Sequence, residues 1–361
     1  MKIFTKEDTV RVKGIGILLL LFHHLFFNAD FIEQQGIYFI FFPEDIIQQI
    51  AIGARVCVWI FAFLSAYGLT IQYENGDSRQ TVLQFYVRRW LALLKVFWPS
   101  YIFVFLLYCL FCGNILSFYE YNPVRLLADF LGVANFFESP MLTAVWWYMA
   151  LALVIIIIIP FLAILCRKFG LGSYVLIFFI LQFLPEGIHS VNGGRYLNYL
   201  LVIVLAIYCA QGNFISCVLK KKKTSTGRIL EFFLLVLGIV SLLTVKVKIA
   251  TFDKWNIGGF VAGIATFLIV ILISKYFSSK RINSVLCILG KYSGNMFMIH
   301  AFLYDNFKRL IFWSKNATFC YLTLVIVSLL ISILLEMIKK IIGYNDWFEK
   351  NTNKIVSFLA Y

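Results

Sequence analysis

Long apolar blocks separated by short polar junctions fill residues 14 to 338. The blocks fall at about 14–32, 50–71, 92–112, 144–165, 171–185, 196–210, 229–250, 256–274, 285–303 and 318–338. A hydrocarbon core about 30 Å thick needs ~20 apolar residues per helical crossing. The pattern therefore predicts an all-α, polytopic membrane protein with about ten transmembrane helices and no soluble domain. Blocks 171–185 and 196–210 are short, which suits tilted, broken or re-entrant segments. The blocks run continuously rather than alternating, which excludes an outer-membrane barrel. The longest connection, 113–143, holds Pro123, Pro140 and an amphipathic stretch from Val124 to Phe137 suited to a membrane surface.

Basic residues orient the spans. With the N-terminus inside, 23 of the 32 Lys and Arg residues fall on inner segments or inner helix ends, and the run Lys220–Lys223 is the clearest anchor. Both termini are then expected to be cytoplasmic, in a multi-pass protein of the plasma or inner membrane. The first helix reads as an uncleaved signal anchor.

Composition agrees: 61% of residues are hydrophobic and 14% charged, and the mean hydropathy is +0.87. Soluble domains carry about 25% charged residues. The net charge of +14 does not indicate nucleic acid, because the charges sit at the ends of apolar blocks. The eight cysteines lie mostly inside those blocks and read as buried hydrophobes. Cys109 and Cys112 have the spacing of a metal pair but lack a second pair, so no metal site is expected.

Polar residues inside spans are costly and are functional candidates. They are few: His23, His24, Arg55, Ser65 and His300, with Asp30 near an end. Lys13 and His24 are eleven residues apart, close to three helical turns, so both share one face. They stand ~16 Å apart along the axis, one at the cytoplasmic interface and the other near mid-depth. A cation at the mouth and an imidazole deep on one wall suit an anionic donor with a long arm. A snorkelling lysine and a histidine bonded to a neighbouring helix would give the same pattern. His23 points ~100° away, toward a different contact.

His300 lies midway between two basic pairs and is also expected near mid-depth, in a cavity or in an interhelical hydrogen bond. Arg88, Arg89 and Lys95 suit phosphate binding, although the positive-inside rule places bases there anyway. Trp146, Trp147 and Tyr148 open the fourth span at the outer face, as an aromatic belt or a sugar-stacking platform.

Together these features resemble the acyltransferase-3 family of integral membrane acyltransferases. Lys13 and His24 match the family's first-helix spacing of a base, ten residues and a histidine, with Lys where Arg is usual. Trp59 to Tyr67 resembles an aromatic run ending in Ser-Gly-Phe, with Ser65 kept and Ala66 replacing the glycine. Val145 to Met149 resembles the family's Leu-Trp-Phe-Leu segment. Leu289 to His300 resembles its Leu-Gly-Lys-x-Ser segment ending in Tyr-Leu-x-His. One departure stands out: at the second position of an expected Arg-x-x-Arg the chain has Ala92, and Lys95 is the nearest substitute.

The resemblance implies transfer of an acyl group, most commonly acetyl from acetyl-CoA as co-substrate, to a hydroxyl of a cell-envelope glycan. Lys13, Arg88, Arg89 and Lys95 would meet the donor's phosphates. His24 would act as general base or transient acyl carrier, with His300 or Ser65 orienting the acceptor or stabilising the oxyanion. Trp146, Trp147, Tyr148 and His23 would line the acceptor side. The competing expectation is an exporter of a glycan or lipid-linked sugar, which need not consume acyl-CoA.

Overall fold

The computed structural model describes residues 4–76, 81–184, 194–220, 224–249 and 257–359. Lys221 to Lys223 of the basic run lie outside the described residues. The principal helices are α1 (Lys6–Phe26), α2 (Glu44–Ala54), α3 (Cys57–Glu74), α4 (Val82–Leu107), α5 (Pro123–Phe130), α6 (Trp147–Phe169) and α7 (Gly172–Gln182). They continue with α8 (Leu200–Gln211), α9 (Ser225–Ile249), α10 (Ile257–Tyr276), α11 (Lys280–Asn306), α12 (Ala317–Ile341) and α13 (Tyr344–Phe358). Among the described residues the one piece of β pairing is an isolated parallel bridge, Tyr38 with Asn316.

Among the described residues every predicted apolar block is mostly helical, and the helices long and apolar enough to cross number fewer than ten. Seven segments among the described residues are long and apolar enough to span: Lys6–Phe26, Glu44–Glu74, Val82–Phe111, Ala144–Phe169, Ser225–Ile249, Ile257–Tyr276 and Ala317–Ile341. Helices α7 and α8 have 11 and 12 residues, which reach only ~17–18 Å at 1.5 Å per residue. Helix α11 has 27 residues but carries Lys280, Arg281, Lys291 and Asn295, which dilute its apolar character.

The chain forms two compact units. The first comprises Met1–Asn28, Pro43–Asn75 and Ile158–Lys291. Its first helix is fixed by a capping box, in which the Thr5 hydroxyl accepts from the Asp8 N–H at 3.1 Å and the Asp8 carboxylate accepts from the Thr5 N–H at 2.9 Å. Asp8 also pairs with the buried Arg11, and Arg11 donates to the Phe277 carbonyl at 3.2 Å. Helix α1 packs on α2, α3 and α10, while α8 packs on α3 and α10, and α9 lies along α10. Close approach of α1 to the start of α11 requires glycine. A Cβ on Gly290 would stand 2.7 Å from the Val10 carbonyl carbon, and one on Gly14 would stand 3.0 Å from that of Leu286.

The second unit comprises Ala29–Phe42, Gly76–Ile157 and Tyr292–Tyr361. A second capping box, Thr81 with Gln84, starts α4. Its core is aromatic: Trp146 packs on Phe97 and Tyr101, with ring centroids 4.9 and 5.3 Å away. Helix α13 was not anticipated from hydropathy. It begins after Gly343, whose φ of 65° is left-handed. It lays Phe348 and Val356 inward and is held to α4 by Gln84 Nε2 donating to the Val356 carbonyl at 3.2 Å.

The Val124–Phe137 stretch is more than a surface helix. Helix α5 exposes Val124 and Leu127 yet buries its carboxylate, Asp129. The Tyr119 hydroxyl donates to Asp129 at 2.6 Å, and the Leu142 N–H donates to it at 3.1 Å. An outward apolar face with an inward acid suits a neighbourhood of lipid rather than water.

Candidate functional site

In the first unit, α1 runs unbroken through Lys13 and His24, so the shared face expected from their spacing is realised. Both side chains are half-buried. Arg11, one turn from the same mouth, is neutralised by Asp8. Neither Lys13 nor Lys6, at the helix's first turn, has an ion pair among the described residues; Lys13 is the one that shares His24's face and so can meet an outside anion there.

His23 lies beside His24, with ring centroids 5.0 Å apart. It is buried, and its Nδ1 donates to the Ala51 carbonyl of α2 at 2.8 Å. A carbonyl only accepts, so the proton is fixed on Nδ1. His23 thus makes the separate contact its angular position implied. Ser65 is half-buried on α3.

In the second unit, Arg88 and Lys95 lie two turns apart on α4 and both meet α13. Arg88 donates to Asn353 Oδ1 at 3.2 Å, and Lys95 pairs with Glu349 at 2.6 Å. That pairing holds the Glu349 carboxyl below its usual range. Arg89 turns away, toward the Phe85 ring. The expected basic cluster is therefore divided between two faces, and two of its members already have partners on a helix that hydropathy did not reveal.

The aromatic run divides as well. Trp146 is 2% exposed, and its Nε1–H donates to the Met298 carbonyl at 2.9 Å. Its indole is a buried group that ties the start of α6 to α11. Trp147 and Tyr148 are half-buried, and the Tyr148 ring lies 5.2 Å from that of Phe297. His300 is fully buried, with Nδ1 donating to the Phe297 carbonyl one turn earlier at 2.7 Å. His300 therefore presents Nε2 as its acceptor when neutral. His24 and His300 belong to different units.

Two polar groupings escaped the sequence reading. In the second unit, Asn295 bonds both Ser100, at 3.4 Å, and Glu336, at 2.9 Å, and Glu336 pairs with Lys339 at 2.7 Å. In the first unit, Lys246 lies over the Trp59 ring, 3.8 Å from its centroid. The signal for Lys246 was present: a lysine inside the apolar block 229–250.

The geometry in hand is an unpaired cation and an imidazole on one face of a membrane helix, within an all-helical, multi-pass chain. Residues 11–337 match the family described as an acyltransferase domain. The chain belongs to the acyltransferase-3 family. The match covers Lys13, His24, Ser65, Arg88, Arg89, Lys95, Trp146, Trp147, Tyr148 and His300. As an acyltransferase domain, it makes moving an acyl group the chemistry this helical scaffold serves. No curated protein and no solved structure matches this acyltransferase chain.

Proposed function

We propose that this protein transfers an acyl group, most simply acetyl, from acyl-CoA to a hydroxyl of a cell-envelope saccharide, from a plasma membrane with both termini in the cytoplasm. The carrying observation is the register of Lys13 and His24 on one intact helix. A phosphate of the donor binds Lys13, and the ~16 Å to His24 leaves room for the extended arm that bears the thioester.

His24 then takes the proton of the acceptor hydroxyl as its oxygen attacks the thioester carbonyl. The C–O bond forms, the C–S bond breaks, and the leaving thiolate receives the proton from His24. Ser65, in the same unit as His24, is offered as an oxyanion donor.

The test is acetyl-CoA turnover by purified protein in nanodiscs. His24→Ala should abolish turnover while the protein remains inserted and monodisperse. Lys13→Ala should raise the concentration of donor required, and Lys13→Arg should preserve use, because the contact needs positive charge. Full turnover in His24→Ala would remove the base. A wild type that consumes neither acetyl-CoA nor succinyl-CoA would overturn acyl transfer altogether.

A further inference from the structure

Among the described residues Lys246 has no hydrogen-bond acceptor. It stands in the last turn of α9, and its Nζ is shut off from solvent. The Trp59 ring covers one side of it at 3.8 Å. Cation–π attraction leaves the remaining N–H groups without an oxygen. The ring itself is fixed from behind: Trp59 Nε1 donates to the Asn198 carbonyl at 3.3 Å, and Tyr199 packs 4.8 Å away.

Arg55 marks the break between α2 and α3, where the Val56 N–H reaches back to the Gly53 carbonyl at 3.1 Å. Its side chain is exposed. Neither Arg55 nor Lys246 has an ion pair among the described residues. The end of α2 meets α9 here: a Cβ on Gly53 would stand 3.8 Å from Val247 Cγ2, and His23 is bonded to Ala51 at 2.8 Å. Arg55, Lys246 and His23 therefore gather at one junction of α1, α2 and α9, open at Arg55 and closed at Lys246, and among the described residues no carboxylate pairs either cation. Gathering like charges in a low-dielectric setting is costly, and an anion that joins them relieves that cost.

Its position suits the acceptor rather than the donor. Lys13 lies ten residues before His23, ~15 Å down α1, and Arg228 lies eighteen residues before Lys246, ~27 Å down α9. The cluster is thus at the far end of this unit from the donor's cation, and His23 links it to His24.

We propose that Arg55 and Lys246 form an anion subsite, and that the acceptor carries a carboxylate or phosphate near the hydroxyl that is acylated; the acceptor assignment rests on the acyl-transfer reading above. Arg55 meets the anion first, and Lys246 fixes it against Trp59. The neighbouring hydroxyl is thereby held toward His24.

The experiment uses the full chain in nanodiscs of zwitterionic lipid. Glucuronate and glucose 1-phosphate serve as probes, with glucose as the neutral control, and binding is read by equilibrium dialysis. Wild type should bind both anionic probes saturably, and glucose about 10-fold more weakly or not at all. Loss of a charge-assisted hydrogen bond corresponds to about a 10-fold loss of affinity. Lys246→Gln and Arg55→Gln should each show that loss, and Lys246→Arg should retain binding. Arg55→Gln changes an exposed group, so it keeps the test open if Lys246→Gln fails to fold.

Equal binding of glucose, or undiminished binding in both Gln variants, would overturn the subsite. Displacement of the probes when phosphatidylglycerol is added to the nanodiscs would assign the cluster to a lipid headgroup and overturn the acceptor assignment. Wild-type acetyl-CoA turnover, measured on the same preparation, separates the two claims. Turnover without anion binding sinks the subsite alone. Lys246-dependent anion binding without turnover upholds the subsite and sinks acyl transfer.

Discussion

Gly290→Ala tests whether backbone contact holds the first helix in place. In the first unit a Cβ at this position would sit 2.7 Å from the Val10 carbonyl carbon and 3.0 Å from Val10 Cγ1. Comfortable carbon–carbon separation is about 3.7 Å, so α1 and the start of α11 must part by about 1 Å. The carbonyl belongs to helix backbone and cannot swing aside as a side chain would. Overpacking of this kind costs about 1–3 kcal/mol. Alanine returns up to about 1 kcal/mol through helix propensity, which from the middle of that range, about 2 kcal/mol, leaves a net loss of about 1 kcal/mol. Gly68→Ala is the matched control, because a Cβ there meets nothing within 4 Å and only the propensity gain applies. Both variants would be followed by thermal unfolding in nanodiscs beside wild type. Gly290→Ala should melt lower and Gly68→Ala at or above wild type. Because Val10 lies one turn before Lys13, Gly290→Ala should also weaken acetyl-CoA use. Equal stability of Gly290→Ala and wild type would refute the close-contact argument.

Two further outcomes bear on the second unit. Burial pushes the Asp129 carboxyl from 3.8 up to about 7, against the opposing hydrogen bonds from Tyr119 and the Leu142 N–H. The folded chain then holds a proton that the unfolded chain has released between about pH 4 and 7, so stability should fall as pH rises through that window. The rise from 3.8 to about 7 sets an upper limit of roughly 4 kcal/mol; melting temperatures across pH should show the slope, and Asp129→Asn should flatten it. Phe348 is 4% exposed and meets the Trp98 ring at 5.6 Å, so Phe348→Ala should cost about 3 kcal/mol. Thermal unfolding reads that loss, and unchanged melting would mean α13 is not docked on α4.

The sequence alone determined the class of fold, because hydropathy over ~20 residues decides whether a segment prefers lipid, and lipid demands a helix. It also determined the Lys13–His24 face, since two residues on one helix are related by helical geometry whatever packs around them. Hydropathy alone does not decide crossings where length and polarity oppose each other, as in α7, α8 and α11. Helix α13 escaped because its apolar positions, Phe348 and Val356, are spaced among Asn, Glu and Lys, so block hydropathy stays low. Trp146 looked like an interfacial aromatic because it opens a span. Only the approach of Met298 to its N–H, and of Phe97 and Tyr101 to its ring, made it core. The same holds for Asp129 with Tyr119, for Glu336 with Asn295, and for Lys246 over Trp59. Each pairs residues far apart in sequence on different elements. Local patterning carries the period of a helix and its taste for lipid, but it does not carry which faces meet. That is decided by the joint packing of all the helices, where glycine positions such as Gly14 and Gly290 set how closely two backbones approach.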